Sequence, residues 1–167
     1  LAAQGVLEVR RGLGTFVSLQ VEEINDFGFS ALDQVKVQLR DLFELRAIFE
    51  PRAAALACQR ATEEELAEIL RYGRAVEGCI RDRQDRTWAD RDFHAAIVRA
   101  THNEFMTRLL PIIGQAVETA IGSVGHGEEL AQSTLQDHAL LMEFLQKRDA
   151  AGAEHAMAIH MRHAMDQ

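Results

Sequence analysis

From about residue 35 onward, apolar side chains return every three or four positions, the spacing of helices that each bury one face. Leu39, Leu42, Phe43 and Phe49 fall on one arc of a first predicted helix, about 35–60. It is expected to be interrupted or bent near Pro51, which has no amide proton and crowds the preceding turn. Thr62 and Glu65 have capping-box spacing and open a second helix reaching about Ile80. The charged loop RDRQDR at 81–86 separates it from a third, about 87–100. His102-Asn103 punctuates the pattern, and a fourth helix, kinked at Pro111, runs to about Gly122. GSVGHGEE reads as a loop before two last helices, about 130–147 and 150–164, with Asp149 as the cap between them.

The N-terminus has a different period. Leu7 and Val9 alternate with Glu8 and Arg10, Gly12 and Gly14 give turn freedom, and Phe16 and Val17 begin a return strand, so a β-hairpin is predicted. Residues 18–34 are mixed in character and read as a linker with a short helix. The expected fold is therefore an all-α antiparallel bundle of six to seven helices behind a short hairpin. A unit as small as that hairpin buries no core of its own, so it is expected to finish a larger domain lying ahead of it.

Composition agrees and narrows the partners. Two prolines, one tyrosine and abundant Ala, Leu, Glu, Arg and Gln favour helix over sheet. The net charge is -8, yet residues 1–20 hold Arg10 and Arg11 against Glu8 alone, so the acidity belongs to the helical body. Such a body repels nucleic acid, and any DNA-reading surface must come from elsewhere. No stretch has the roughly 18–20 apolar residues of a membrane span, and no signal pattern opens the chain, so a cytoplasmic protein is expected. Cys58 and Cys79 lack metal spacing and read as reduced, structural residues.

The chemistry lies where polar residues interrupt apolar faces. Asp90 and His94, four apart, share the arc of Phe93, Ile97 and Val98, which points a carboxylate and an imidazole inward from adjacent turns. His138 is flanked by Leu135, Leu141, Met142 and Leu145, and His160 by Ala153, Ala156, Met157 and Ala164. A lone histidine on an apolar face is usually a hydrogen-bonded core residue. Three of them with an aspartate are better explained by a shared divalent cation, because a buried carboxylate is costly unless compensated. Such a donor set suits zinc first, then nickel, manganese, iron or cobalt, and leaves room for an oxygen ligand. Among the other histidines His163, one turn from His160, is the only substitute. Arg46 is also inward, either paired with Glu50 or free to clamp a carboxylate whose other end reaches the metal.

These segments resemble a known family, the FadR subfamily of GntR regulators, whose C-terminal sensor is the FCD domain. QGVLEVRRGLGTFV is similar to the wing hairpin that ends a winged helix-turn-helix, DLFELRAIFEPRAAALACQRAT to the first long FCD helix, and DRDFHAAIVRATHN to the central motif. The resemblance implies residues 1–20 as the wing, 21–34 as a linker and 35–167 as the sensor. It implies metal ligands at Asp90, His94, His138 and His160, and wing contacts to DNA at Arg10, Arg11, Gly12 and Gly14. Arg46 corresponds to the family's inward arginine and Asn103 to its motif asparagine, candidates for the effector site, although a helix cap is the plainer role for Asn103. His102 departs from the pattern. A homodimeric regulator of operator DNA, answering to a small organic carboxylate such as a hydroxy acid or sugar acid, is the expectation. Two other readings compete: a metal-dependent helical-bundle hydrolase or lyase, with Glu50 as the only inward general base, and an acidic dimerisation module with structural histidines.

Overall fold

A computed structural model describes residues 7–10, 14–17, 39–121 and 128–166. The chain divides into two units, Leu1–Val35 and Lys36–Gln167. In the first, strands β1 (Leu7–Arg10) and β2 (Gly14–Val17) pair antiparallel, with Leu7 opposite Val17 and Arg10 opposite Gly14. The hairpin is where the alternation placed it, with Gly14 opening the second strand. Arg11, Gly12 and the expected linker lie outside the described residues, as does most of the glycine-rich loop before the last two helices.

The second unit holds six described helices: α1 (Leu39–Arg60), α2 (Glu63–Arg81), α3 (Thr87–Arg99), α4 (Glu104–Ile121), α5 (Glu128–Gln146) and α6 (Ala150–Met165). Their ends are set by local chemistry. Thr62 and Glu65 form the reciprocal capping box, and Asp149 accepts the amide of Gly152 at 3.0 Å to start α6. Arg83, His102 and Arg148 follow helices with φ of 53°, 54° and 57°. In this left-handed position glycine would be the cheaper residue. Arg148 is held there by use: its guanidinium donates to the carbonyl oxygen of Ala61 at 2.7 Å and to the Glu63 carboxylate at 2.8 Å. The turn between α5 and α6 is thereby tied to the end of α1.

Of the two forms expected at Pro51, interruption or bend, the interruption is absent, and α1 runs unbroken through it. Pro51 removes one intrahelical bond, but it is itself buried, and so are Glu50, Ala53, Ala54, Ala55 and Ala57 around it. Packing on both sides outweighs the local defect. α4 likewise continues through Pro111.

α6 lies chiefly against α1 and α5, and α2 against α3. The α1–α6 seam is lined by small side chains, Ala54 and Ala57 with Ala153 and Ala156, which lets the two backbones approach closely. Ile69, Phe93, Ile97, Leu141, Leu145, Met157 and Met161 complete one continuous core. Gly152 likewise brings α6 close to α5, since a methyl group there would overlap the Phe144 ring. Gly152→Ala is expected to lower stability by about 1–3 kcal/mol through overpacking, more than the helix propensity of alanine returns. An unchanged or higher urea midpoint for the variant would contradict this account of the α5–α6 contact.

Candidate metal centre

Three helices bring four donors to one point in this core. α3 supplies Asp90 and His94 from successive turns, α5 supplies His138 and α6 supplies His160, and one donor atom of each lies within 4.8 Å of all the others. His138 Nε2 is 3.3 Å from His160 Nε2 and 3.6 Å from Asp90 Oδ1, and His94 Nε2 is 3.9 Å from Asp90 Oδ2. Two donors sharing a zinc-sized ion stand at most about 4.2 Å apart, twice a bond of ~2.1 Å. These three separations meet that limit.

The polar atoms also fit the ion. His94 Nε2 is buried and has no hydrogen-bond partner, while its Nδ1 lies 2.5 Å from Glu50 Oε2. With that carboxylate as acceptor, Nδ1 carries the proton and the lone pair of Nε2 faces the cluster. Glu50 is 1% exposed, and its other oxygen accepts from Arg46 Nε at 2.5 Å. A chain of charge therefore runs from Arg46 through Glu50 to His94. On the opposite side Asp137 Oδ2 lies 3.5 Å from His160 Nδ1 and accepts from His163 Nδ1 at 2.8 Å.

Electrostatics set the protonation states a cation requires. Burial opposes ionisation of Asp90, but His94, His138, His160 and Arg46 outweigh it and hold the carboxyl well below the usual range. Burial likewise opposes ionisation of Glu50, and Arg46 and His94 prevail, pulling it down to about 2. Burial, reinforced by the facing His160, pushes His138 well below the ordinary imidazole value; burial lowers His160 too, against the pull of Asp137. An ionised aspartate, with His138 and His160 shifted toward their neutral forms, is the state in which these side chains ligate.

Residues 41–163 match the family model of the FCD domain. The chain belongs to the FCD domain family. It is 27% identical over 169 residues to the galactonate operon transcriptional repressor of Escherichia coli, covering 93% of this chain and 71% of that protein. It is 25% identical over 172 residues to the transcriptional regulator LutR of Bacillus subtilis, covering 99% and 78%. To the Uxu operon regulator of Haemophilus influenzae it is 25% identical over 166 residues, covering 96% of this chain and 61% of the relative. All three are named as regulators rather than enzymes. A GntR structure from Streptococcus agalactiae superposes with a TM-score of 0.72 at 27% identity, covering 99% of this chain and 76% of that one.

In this FCD domain the four residues singled out by their faces converge, and the remaining candidates fall elsewhere. Arg46 is engaged by Glu50, the ion pair that the sequence left as one of two options. Asn103 caps α4, its Oδ1 accepting the amides of Phe105 and Met106 at 3.1 and 3.2 Å. His163 bonds Asp137, and His102 lies on Glu65 at 2.9 Å; neither joins the cluster. Both oxygens of Glu50 are engaged, so it is not the free general base that a hydrolase or lyase would need. Sequence reasoning missed Glu50 as the group that orients His94. Its inward position one turn from Arg46 was visible, but a partner 44 residues away was not.

Proposed function

We propose that this chain is the sensor part of a FadR-type transcription regulator, in which a divalent metal, zinc in the first instance, and a small carboxylate effector control DNA binding. The observation that carries the reading is the convergence of Asp90, His94, His138 and His160 inside an apolar core, with His94 Nε2 left unbonded. These four would hold the ion, which supplies a Lewis-acidic position for an oxygen ligand. Glu50 and Asp137 would orient His94 and His160 around it.

Residues 1–20 form the wing in this reading, with Arg10, Arg11, Gly12 and Gly14 toward DNA, 21–34 the linker and 35–167 the sensor. The protein works as a cytoplasmic homodimer, and no described helix is long and apolar enough to cross a membrane. Among the relatives, one is named for the operon of galactonate, itself a polyhydroxy carboxylate. An effector of that class presents the charge and the oxygen donors that a metal flanked by arginine selects. Arg46 would reach its carboxylate by exchanging a Glu50 oxygen for one of the effector's, and Asn103 would hold the turn beside it. The effector regulates only if it binds one arrangement of the DNA-reading heads better than the other.

Gently purified protein is expected to carry about one equivalent of metal, and calorimetry is expected to detect galactonate or a related sugar acid only when that metal is present. Protein that binds neither zinc, nickel, manganese, cobalt nor iron would reduce the histidines to core residues and favour the dimerisation module.

A further inference from the structure

Arg86 was grouped by sequence with the solvated loop RDRQDR, but it is 8% exposed. It directly precedes α3, and the amide of Asp90 bonds its carbonyl oxygen at 2.8 Å. Arg86, Asp90 and His94 thus recur every fourth residue and fall along one face of α3, guanidinium, carboxylate and imidazole in order. Among the described residues the Arg86 guanidinium forms no hydrogen bond or ion pair, whereas Arg46 is committed to Glu50.

The Arg86 nitrogens are nonetheless not among the sealed, unpartnered atoms of the core. A largely covered side chain therefore brings its guanidinium to the surface with no carboxylate of the described residues bonded to it, free to meet an anion from outside the chain. The opening to the cluster lies at the same end. Asp90 is 28% exposed, while His94 and His138 are sealed. A carboxylate that approaches the metal position along the Asp90 edge therefore passes the start of α3. The charge of Arg86 is felt at both Asp90 and His138, and burial depresses Arg86 itself, with Asp90 and Asp85 opposing.

We infer that Arg86 is a second anion-binding residue of the sensor site, its guanidinium joining Arg46 on the carboxylate of an effector whose adjacent oxygen reaches the metal. This rests on the metal-and-carboxylate reading above and deepens it by one residue. A planar fork of donors suits a carboxylate held at both oxygens, and Arg86 offers one that no hydrogen bond among the described residues already occupies.

The test uses protein loaded with Co²⁺, whose visible spectrum reports its ligands, titrated with glycolate, the smallest hydroxy acid. Arg86→Met is expected to bind Co²⁺ as the parent does but glycolate about tenfold or more weakly. Arg86→Lys, which keeps the charge and loses the fork, should fall between them. Metal-free Arg86→Met is expected to melt at or above the parent, since the guanidinium makes no hydrogen bond within the described fold and the methionine keeps the covered stem. A parent spectrum indifferent to glycolate overturns the carboxylate reading, and this inference with it. A parent that responds, together with variants of unchanged glycolate affinity, overturns the role of Arg86 alone. A lower melting temperature in both metal-free variants also overturns it, by assigning Arg86 to the fold.

Discussion

Replacing Glu50 with alanine is expected to lower the stability of the helical body by about 3–5 kcal/mol, the effect of breaking a buried ion pair from one side. The side chain is 1% exposed and both its oxygens are used, one by Arg46 Nε and one by His94 Nδ1, each at 2.5 Å. Without it the guanidinium of Arg46, 12% exposed, has no counter-charge, and His94 loses the acceptor that fixes its tautomer. Metal affinity should fall as well, by about 10- to 100-fold, as when an outer carboxylate is removed from a ligating histidine. The two losses separate in a second variant. Changing Arg46 and Glu50 together to methionine removes both charges at similar volume and should restore most of the stability, because such pairs are often replaceable by apolar residues. It should not restore the metal affinity. Chemical denaturation and metal titration of both variants decide the matter: a Glu50→Ala protein as stable as its parent would make the pair a surface ornament, and a double variant with full metal affinity would free His94 from dependence on it.

The features that sequence disclosed are those whose cause is local. Thr62 and Glu65 lie three residues apart and cap α2 with no help from the rest of the fold, and Asp149 does the same for α6. The four donors were legible for a related reason. Asp90, His94, His138 and His160 each violate the apolar face they sit on, and a violation is visible without knowing what it faces. That they meet one another is a tertiary fact, and the periodicity alone could not supply it.

Where local rules competed with packing, packing won. Pro51 carries the strongest helix-breaking signal in α1, yet burial on both sides keeps the helix continuous. Arg86 is the reverse case. Its neighbours Asp82, Arg83 and Asp85 are exposed as a charged loop should be, and nothing in their spacing marks Arg86 as the one that turns inward. Glu50 was read as inward, but only its partner one turn away was in view. Its contact with His94 joins α1 to α3, a pairing fixed by how helices stack rather than by any repeat along them.

His138→Leu is expected to abolish metal-dependent stabilisation while leaving the metal-free protein at least as stable as its parent. His138 is fully buried on α5, its Nε2 faces both Asp90 and His160, and its Nδ1 has no hydrogen-bond partner. Leucine fills most of the volume, keeps contact with the Phe93 ring and removes a polar atom that the core leaves unsatisfied. Without an ion to bind, the exchange is therefore neutral or favourable. With the ion the balance reverses. At a free concentration 100 times the Kd, metal stabilises the parent by about 2.7 kcal/mol, a rise in Tm on the order of 5–10 °C for a domain of this size. A variant missing a central donor should gain almost none of it. Thermal melts of both proteins with and without added zinc, and after chelation, therefore tell a ligand from an ordinary core histidine. Equal zinc-dependent rises in parent and variant would remove His138 from the centre, and a parent indifferent to every metal tried would dissolve the centre itself.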